Sequence, residues 1–184
     1  AASKVSADLA DGVPGSTLVT AIARNGVDIG IRISGLPGRW FTAPAPVVKG
    51  LYLPGYTERD ANPDIGDSAI MEVGGFGGFA MAAAPAIVKF LGASSVSIAR
   101  ETTDSMYEIT MAEHPRYPIP ACDFRGIPCG IDAVKVVETG ITPILNTAIA
   151  CNRAGVGMVG AGMSTLPAEP FVAALTALAN ELGL

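Results

Sequence analysis

The chain has 184 residues, carries a net charge of −5 and has a pI of about 4.8. Charged residues make up 16% and hydrophobic ones 49%, against about 25% charged in ordinary soluble domains, which excludes disorder by charge. The 12 basic residues are scattered singly among 17 acidic ones, which argues against nucleic acid and against an anionic membrane surface as partner.

Residues 1–11 read as the last turns of a helix without an N-terminal capping device, stopped by Gly12-Val13-Pro14-Gly15. Such an opening is expected of a chain that begins inside a larger protein, and no basic-then-apolar leader precedes it. Residues 17–23 are β-branched and apolar and lead into Asn25-Gly26, a strong hairpin signal. Residues 27–34 then alternate. Val27, Ile29, Ile31 and Ile33 fall on one face, and Asp28, Gly30, Arg32 and Ser34 on the other.

Residues 35–67 are broken by Pro37, Pro44, Pro46, Pro54 and Pro63, with short strand-like pieces near Val47 and Leu51. In residues 68–91, Phe79, Ala83, Ile87 and Phe90 keep helical spacing, with Pro85 as a kink or a restart. The longest uncharged stretch, residues 73–88, is interrupted by glycines and is shorter than the ~20 apolar residues a membrane span needs. Residues 94–111 read as a helix, and residues 114–128 as a loop broken by Pro115, Pro118, Pro120 and Pro128. Residues 131–138 fit helix or strand. Residues 141–151 and 156–159 read as buried strands, and Phe171, Leu175, Leu178 and Leu182 mark an amphipathic helix ending at Gly183. The fold class expected is α+β, one unit over 1–184, with a mixed or antiparallel sheet, an N-terminal β-hairpin and about three to four helices. Cys122, Cys129 and Cys151 form no CxxC pair, consistent with reduced thiols in a cytoplasmic setting.

The segment from Asp60 to Gly78 is the most loaded with chemistry. Asp60, Asp64, Asp67 and Glu72 are suited to a divalent cation held by oxygen ligands, although loop aspartates also serve their own turns. Gly74, Gly75, Gly77 and Gly78 before a helix are suited to pointing N–H groups at an anion, and equally to close backbone packing. Gly155-Val156-Gly157-Met158-Val159-Gly160 satisfies G-x-G-x-x-G, but no helix starts at its third glycine, so the dinucleotide context is missing. His114, the only histidine, is a candidate general base or a solvated loop residue. Arg24, Arg32 and Arg125 are candidates for carboxylate or phosphate contacts, or for structural ion pairs. Asn25 beside them is a substrate-binding candidate or simply a turn residue.

Several blocks together carry a resemblance: Ala23-Arg24-Asn25-Gly26, Trp40-Phe41, Gly50-Leu51-Tyr52, Asp60-Ala61-Asn62-Pro63-Asp64-Ile65-Gly66-Asp67-Ser68-Ala69-Ile70, Gly77 to Val88, Phe124-Arg125-Gly126, Val136-Val137-Glu138-Thr139-Gly140-Ile141 and Gly160-Ala161-Gly162. On these the sequence resembles the bacterial YlbE-like family, whose members are more than twice as long and whose C-terminal part this chain matches. The resemblance implies a neighbouring FdrA-type, synthetase-like partner subunit. It also implies, for one branch, a subunit of oxamate carbamoyltransferase in allantoin degradation, taking oxalurate and phosphate to oxamate and carbamoyl phosphate. The Ser-Thr-Arg-Thr phosphate loop of the well-known carbamoyltransferases is absent, so any such transfer uses another site. Two expectations result. One is an oligomeric transferase subunit acting on a small carboxylate or amide. In it Arg24, Arg32, Arg125 and His114 are catalytic, Asn25 and the 74–78 glycines bind substrate, and the carboxylates orient a cation. The other is a non-catalytic scaffold or oligomerisation domain, favoured by low charge and high glycine content.

Overall fold

The computed structural model describes residues 1–66, 70–90, 95 and 97–184. Among these, eight strands form three antiparallel sheets, accompanied by four α-helices of seven residues or more and several shorter or 3-10 helical segments. The α+β class and the N-terminal hairpin are as expected.

After α1 (Ala2–Asp8), the first sheet runs β1 (Val19–Arg24), β2 (Asp28–Ile33) and β3 (Phe41–Pro44), in that order. Asn25 makes the hairpin turn: its Oδ1 accepts from the N–H groups of Val27 and Asp28 at 2.9 and 2.7 Å. Gly26 takes a φ of +84°, which a β-carbon disfavours. The register pairs Ile22 with Ile31 and Arg24 with Ile29. Arg24 therefore shares the face of Ile29, Ile31 and Ile33, which is the core face, while Arg32 lies on the other. Val27, expected among the isoleucines, sits at the turn and is exposed.

The second sheet has the order β4 (Lys49–Tyr52), β8 (Met158–Thr165) and β7 (Ile144–Ala150). Strand β8 continues well past residue 159 because Gly160 and Gly162 admit β4 closely; a β-carbon on Gly50 would run into the backbone of Ala161 and Gly162. Gly155 and Gly157 lie in the β7–β8 turn with positive φ, so the G-x-G-x-x-G run feeds a strand and forms no dinucleotide site.

The third sheet corrects the sequence reading. Residues 114–128 are not a loop but most of a ribbon of β5 (Thr110–Ile119) and β6 (Arg125–Ile131). Each strand of a two-stranded ribbon keeps a free edge, where proline's missing N–H costs nothing. The register also shifts between Glu113 and Pro118, the span that contains Pro115. Asp123 and Phe124 turn the corner in left-handed conformation, φ 54° and 61°.

Helices α2 (Ile70–Val73), α3 (Pro85–Phe90) and α4 (Ser97–Glu108) follow the first loops, with a 3-10 turn at Gly77–Ala83. Residues 131–138 resolve as the end of β6 followed by α5 (Ala133–Thr139). Asp132 caps α5, accepting from Val134 N–H at 3.0 Å and from Thr17 Oγ1 at 2.7 Å. α6 (Glu169–Leu182) ends at Gly183 as its spacing predicts. The main core unites the isoleucines of β1 and β2 with Phe79, Met106, Ile131, Val136, Leu145, Phe171 and Leu178.

Candidate functional site

Two of the sequence blocks quoted above meet in space. The loop over residues 60–66 lies on the β1–β2 turn, where Gly26 N–H donates to the Asp64 carbonyl at 3.1 Å. A β-carbon on Gly26 would stand 2.6 Å from Asn62 Nδ2, so this glycine serves the docking as well as the turn. On its other side the loop joins the end of β7, with Asn62 N–H donating to the Ala150 carbonyl at 2.8 Å. Asp64 N–H donates to the Pro46 carbonyl at 2.9 Å. The loop thus fixes Asp64 between two sheets.

Asp64 meets Arg24 there. Arg24 Nε stands 3.1 Å from Asp64 Oδ1, and both side chains are fully buried. Gly66 N–H donates to the same oxygen at 2.9 Å, and Thr147 Oγ1 lies 3.4 Å from it. A buried ion pair adds little net stability, because desolvation offsets most of its attraction. Removing one partner is far costlier, since the charge that stays buried loses part of its compensation.

Glu72, on α2, completes the cluster. It is 1% exposed, and its Oε1 accepts from Gly78 N–H and Asn146 N–H, both at 3.2 Å. Its Oε2 has no hydrogen-bond partner among the described residues. Burial pushes this carboxyl up to about 7; the two N–H bonds and the positive charge of Arg24 pull the other way without overcoming it. A protonatable carboxyl near neutrality, within the field of a buried guanidinium, is the kind of perturbed group found at functional sites.

The glycine run is thereby reassigned. Gly74 N–H donates to the Met71 carbonyl and Gly75 N–H to the Glu72 carbonyl, each at 2.9 Å. With Gly78 spent on the Glu72 side chain, the anion this loop holds is the protein's own carboxylate. Gly77, at φ 63°, is needed because any β-carbon there would collide with that carboxylate.

The remaining candidates do not join the cluster. Arg32 pairs with Asp11, which also accepts from Thr20 Oγ1, and lies 6.0 Å from the Trp40 ring. Arg125 pairs with Glu113 at 2.7 Å and covers the Tyr107 ring at 3.6 Å, at the surface of the ribbon. Asp60 caps its own turn, accepting from Thr57 N–H at 3.0 Å, and faces Arg153. Asp67 lies outside the described residues. Among the described residues no three His, Cys, Asp or Glu side chains gather as a metal ion requires. Asn25 borders a cleft of about 170 Å3 together with Trp40 and with Arg24 of the cluster, which brings two of the predicted residues to one lining. His114 and Gly74 border a different cavity, of about 320 Å3, between α1 and the ribbon.

Asn146 and Thr147 escape a reading of the sequence, since both lie inside an apolar strand. Glu72 carries a signal that can be used: it is the last charge before sixteen uncharged residues.

Residues 1–68 match the family model of the oxamate carbamoyltransferase subunit AllG. Over 181 residues, 98% of it, the chain is 45% identical to that subunit from Escherichia coli K12, and 48% identical to the E. coli K12 protein YahG, described as uncharacterised. A crystal structure of a conserved protein of unknown function from Enterococcus faecalis V583 superposes with a TM-score of 0.94 at 52% identity, over 97% of this chain. The chain spans 43% of AllG, 38% of YahG and 43% of the Enterococcus chain. Among the described residues no helix is long and apolar enough to cross a membrane.

Proposed function

We propose that this chain is the C-terminal part of a longer subunit in an oxamate carbamoyltransferase-like complex, acting beside an FdrA-type synthetase-like subunit. The observation that carries the reading is 45% identity to AllG across 98% of the chain. In the reaction a phosphate oxygen attacks the carbamoyl carbon of oxalurate. The bond from that carbon to the oxamate nitrogen breaks, and the nitrogen takes a proton, leaving carbamoyl phosphate and oxamate. Negative charge grows on the carbonyl oxygen and on the departing nitrogen. Preorganised positive charge and a proton source near pH 7 are what such a transition state needs. Arg24 supplies the first and Glu72 is suited to hold the second, with Asp64 fixing the guanidinium.

A second reading, a scaffold whose chemistry resides elsewhere, is favoured by the complete enclosure of the Arg24–Asp64 pair. The test is made on the full-length protein assembled with its partner subunits, incubated with oxalurate and phosphate. Phosphate-dependent carbamoyl phosphate is expected, and an Arg24→Lys variant of the assembled complex is expected to form it at least about tenfold more slowly. A complex that forms none refutes the proposed reaction. Full turnover in the Arg24→Lys complex leaves the reaction standing and assigns this region to the scaffold.

A further inference from the structure

The cavity between α1 and the β5–β6 ribbon is separate from the Arg24 cluster, and its lining points to a ligand of its own. It encloses about 320 Å3, within the range of small-molecule sites. Two glycines help keep it open. Gly74 lies against α1, where a β-carbon would stand 2.9 Å from Ser3 Oγ, and Gly130, at φ 76°, presents no side chain to the opposite wall.

Three rings form one side of the cavity. Tyr117 packs against His114 with centroids 4.5 Å apart and edge-on to Phe76 at 5.2 Å. Such a wall favours a flat ring as guest. His114 Nδ1 accepts from the Arg116 N–H at 3.2 Å, which leaves Nε2 to carry the hydrogen in the neutral ring. The cavity is thus lined by a ring that carries one N–H donor, together with the hydroxyl-bearing Ser3 and Ser6 on α1. Among the described residues no Lys, Arg, Asp or Glu lines the space, so no permanently charged side chain there compensates a phosphate, a carboxylate or a fixed cation.

From this we infer that the cavity is a binding site for a neutral nitrogen heterocycle of one or two fused rings, stacked on Tyr117 and hydrogen-bonded by His114 and the α1 serines. The site is distinct from that of carbamoyl transfer, and its existence does not depend on that reaction.

Cys129 gives a local readout, because it lines the cavity and is half-buried, whereas Cys151 lies outside the lining and Cys122 is buried. The full-length protein is treated with N-ethylmaleimide, with and without adenine as the probe, and each cysteine is followed by mass spectrometry. Adenine is expected to slow labelling of Cys129 at least fivefold, with Cys151 unchanged. Benzoate, a ring of similar size with a charge, is expected to leave Cys129 labelling unchanged. Ser6→Trp, on an exposed helix position, is expected to fill the space and abolish the adenine effect at an unaltered melting temperature. His114→Leu keeps the wall and removes the donor, and is expected to weaken protection by adenine about tenfold. The inference is overturned if adenine gives no protection, if benzoate protects equally, or if Ser6→Trp leaves the adenine effect intact.

Discussion

Replacing Glu72 by glutamine keeps the shape of the buried side chain and removes its titration. In the fold, burial holds the carboxyl at about 7, against 4.5 for a free side chain. At ~1.4 kcal/mol per pH unit, ionising Glu72 inside the protein costs about 3 kcal/mol more than ionising it in the unfolded chain. The sign follows from proton uptake. The native state binds this proton more tightly, so its contribution to stability is complete below pH 4.5 and is lost as pH rises through about 7. Glutamine mimics the protonated form, still accepting from Gly78 and Asn146, and its amide group meets the same unpartnered surroundings as a protonated Oε2. Near pH 5 the two proteins should therefore unfold at similar urea concentrations. At pH 8 Glu72→Gln should be more stable by up to about 3 kcal/mol. Urea unfolding at pH 5, 6, 7 and 8 tests this. Parallel stability profiles for the two proteins, or a variant less stable at pH 8, would show that Glu72 is not held protonated by burial.

Three further outcomes follow from the packing. Gly50→Ala drives a methyl into the backbone of Ala161 and Gly162, and calorimetry should show a loss of about 1–3 kcal/mol, as for overpacked cores. Asp132→Ala removes the cap of α5 and the acceptor of Thr17, and should cost about 1–2 kcal/mol by urea unfolding. Arg125→Ala breaks a half-exposed ion pair and the contact over Tyr107, so it should cost no more than about 1 kcal/mol.

The legible parts of this chain were those written in local patterns. Alternation and Asn25-Gly26 give the first hairpin, and helical spacing gives α6 and its stop at Gly183. The β5–β6 ribbon was hidden because Pro115, Pro118 and Pro128 speak against strands, and only a free edge and a register shift make them tolerable. Within the site, sequence alone singled out Arg24, Asp64, Glu72 and the glycines. It did not give their pairing. Arg24 and Asp64 are forty residues apart and meet only because a loop docks on a turn. The 74–78 glycines looked like a rack for an external anion, since nothing local shows that Glu72 folds back onto Gly78. Arg32 and Arg125 carried the same chemical promise as Arg24, and burial alone distinguishes them.

The proposed part of the Arg24–Asp64–Glu72 cluster in carbamoyl transfer, as against merely holding two sheets together, is tested most directly by the pH dependence of kcat in the assembled complex, comparing the native protein with Glu72→Gln. The native rate is expected to change through an inflection near pH 7. In the variant, at pH 6 where native Glu72 is mostly protonated and the variant is at least as stable, kcat falls at least about tenfold, and the inflection disappears. An unchanged rate with the same inflection in Glu72→Gln would contradict it.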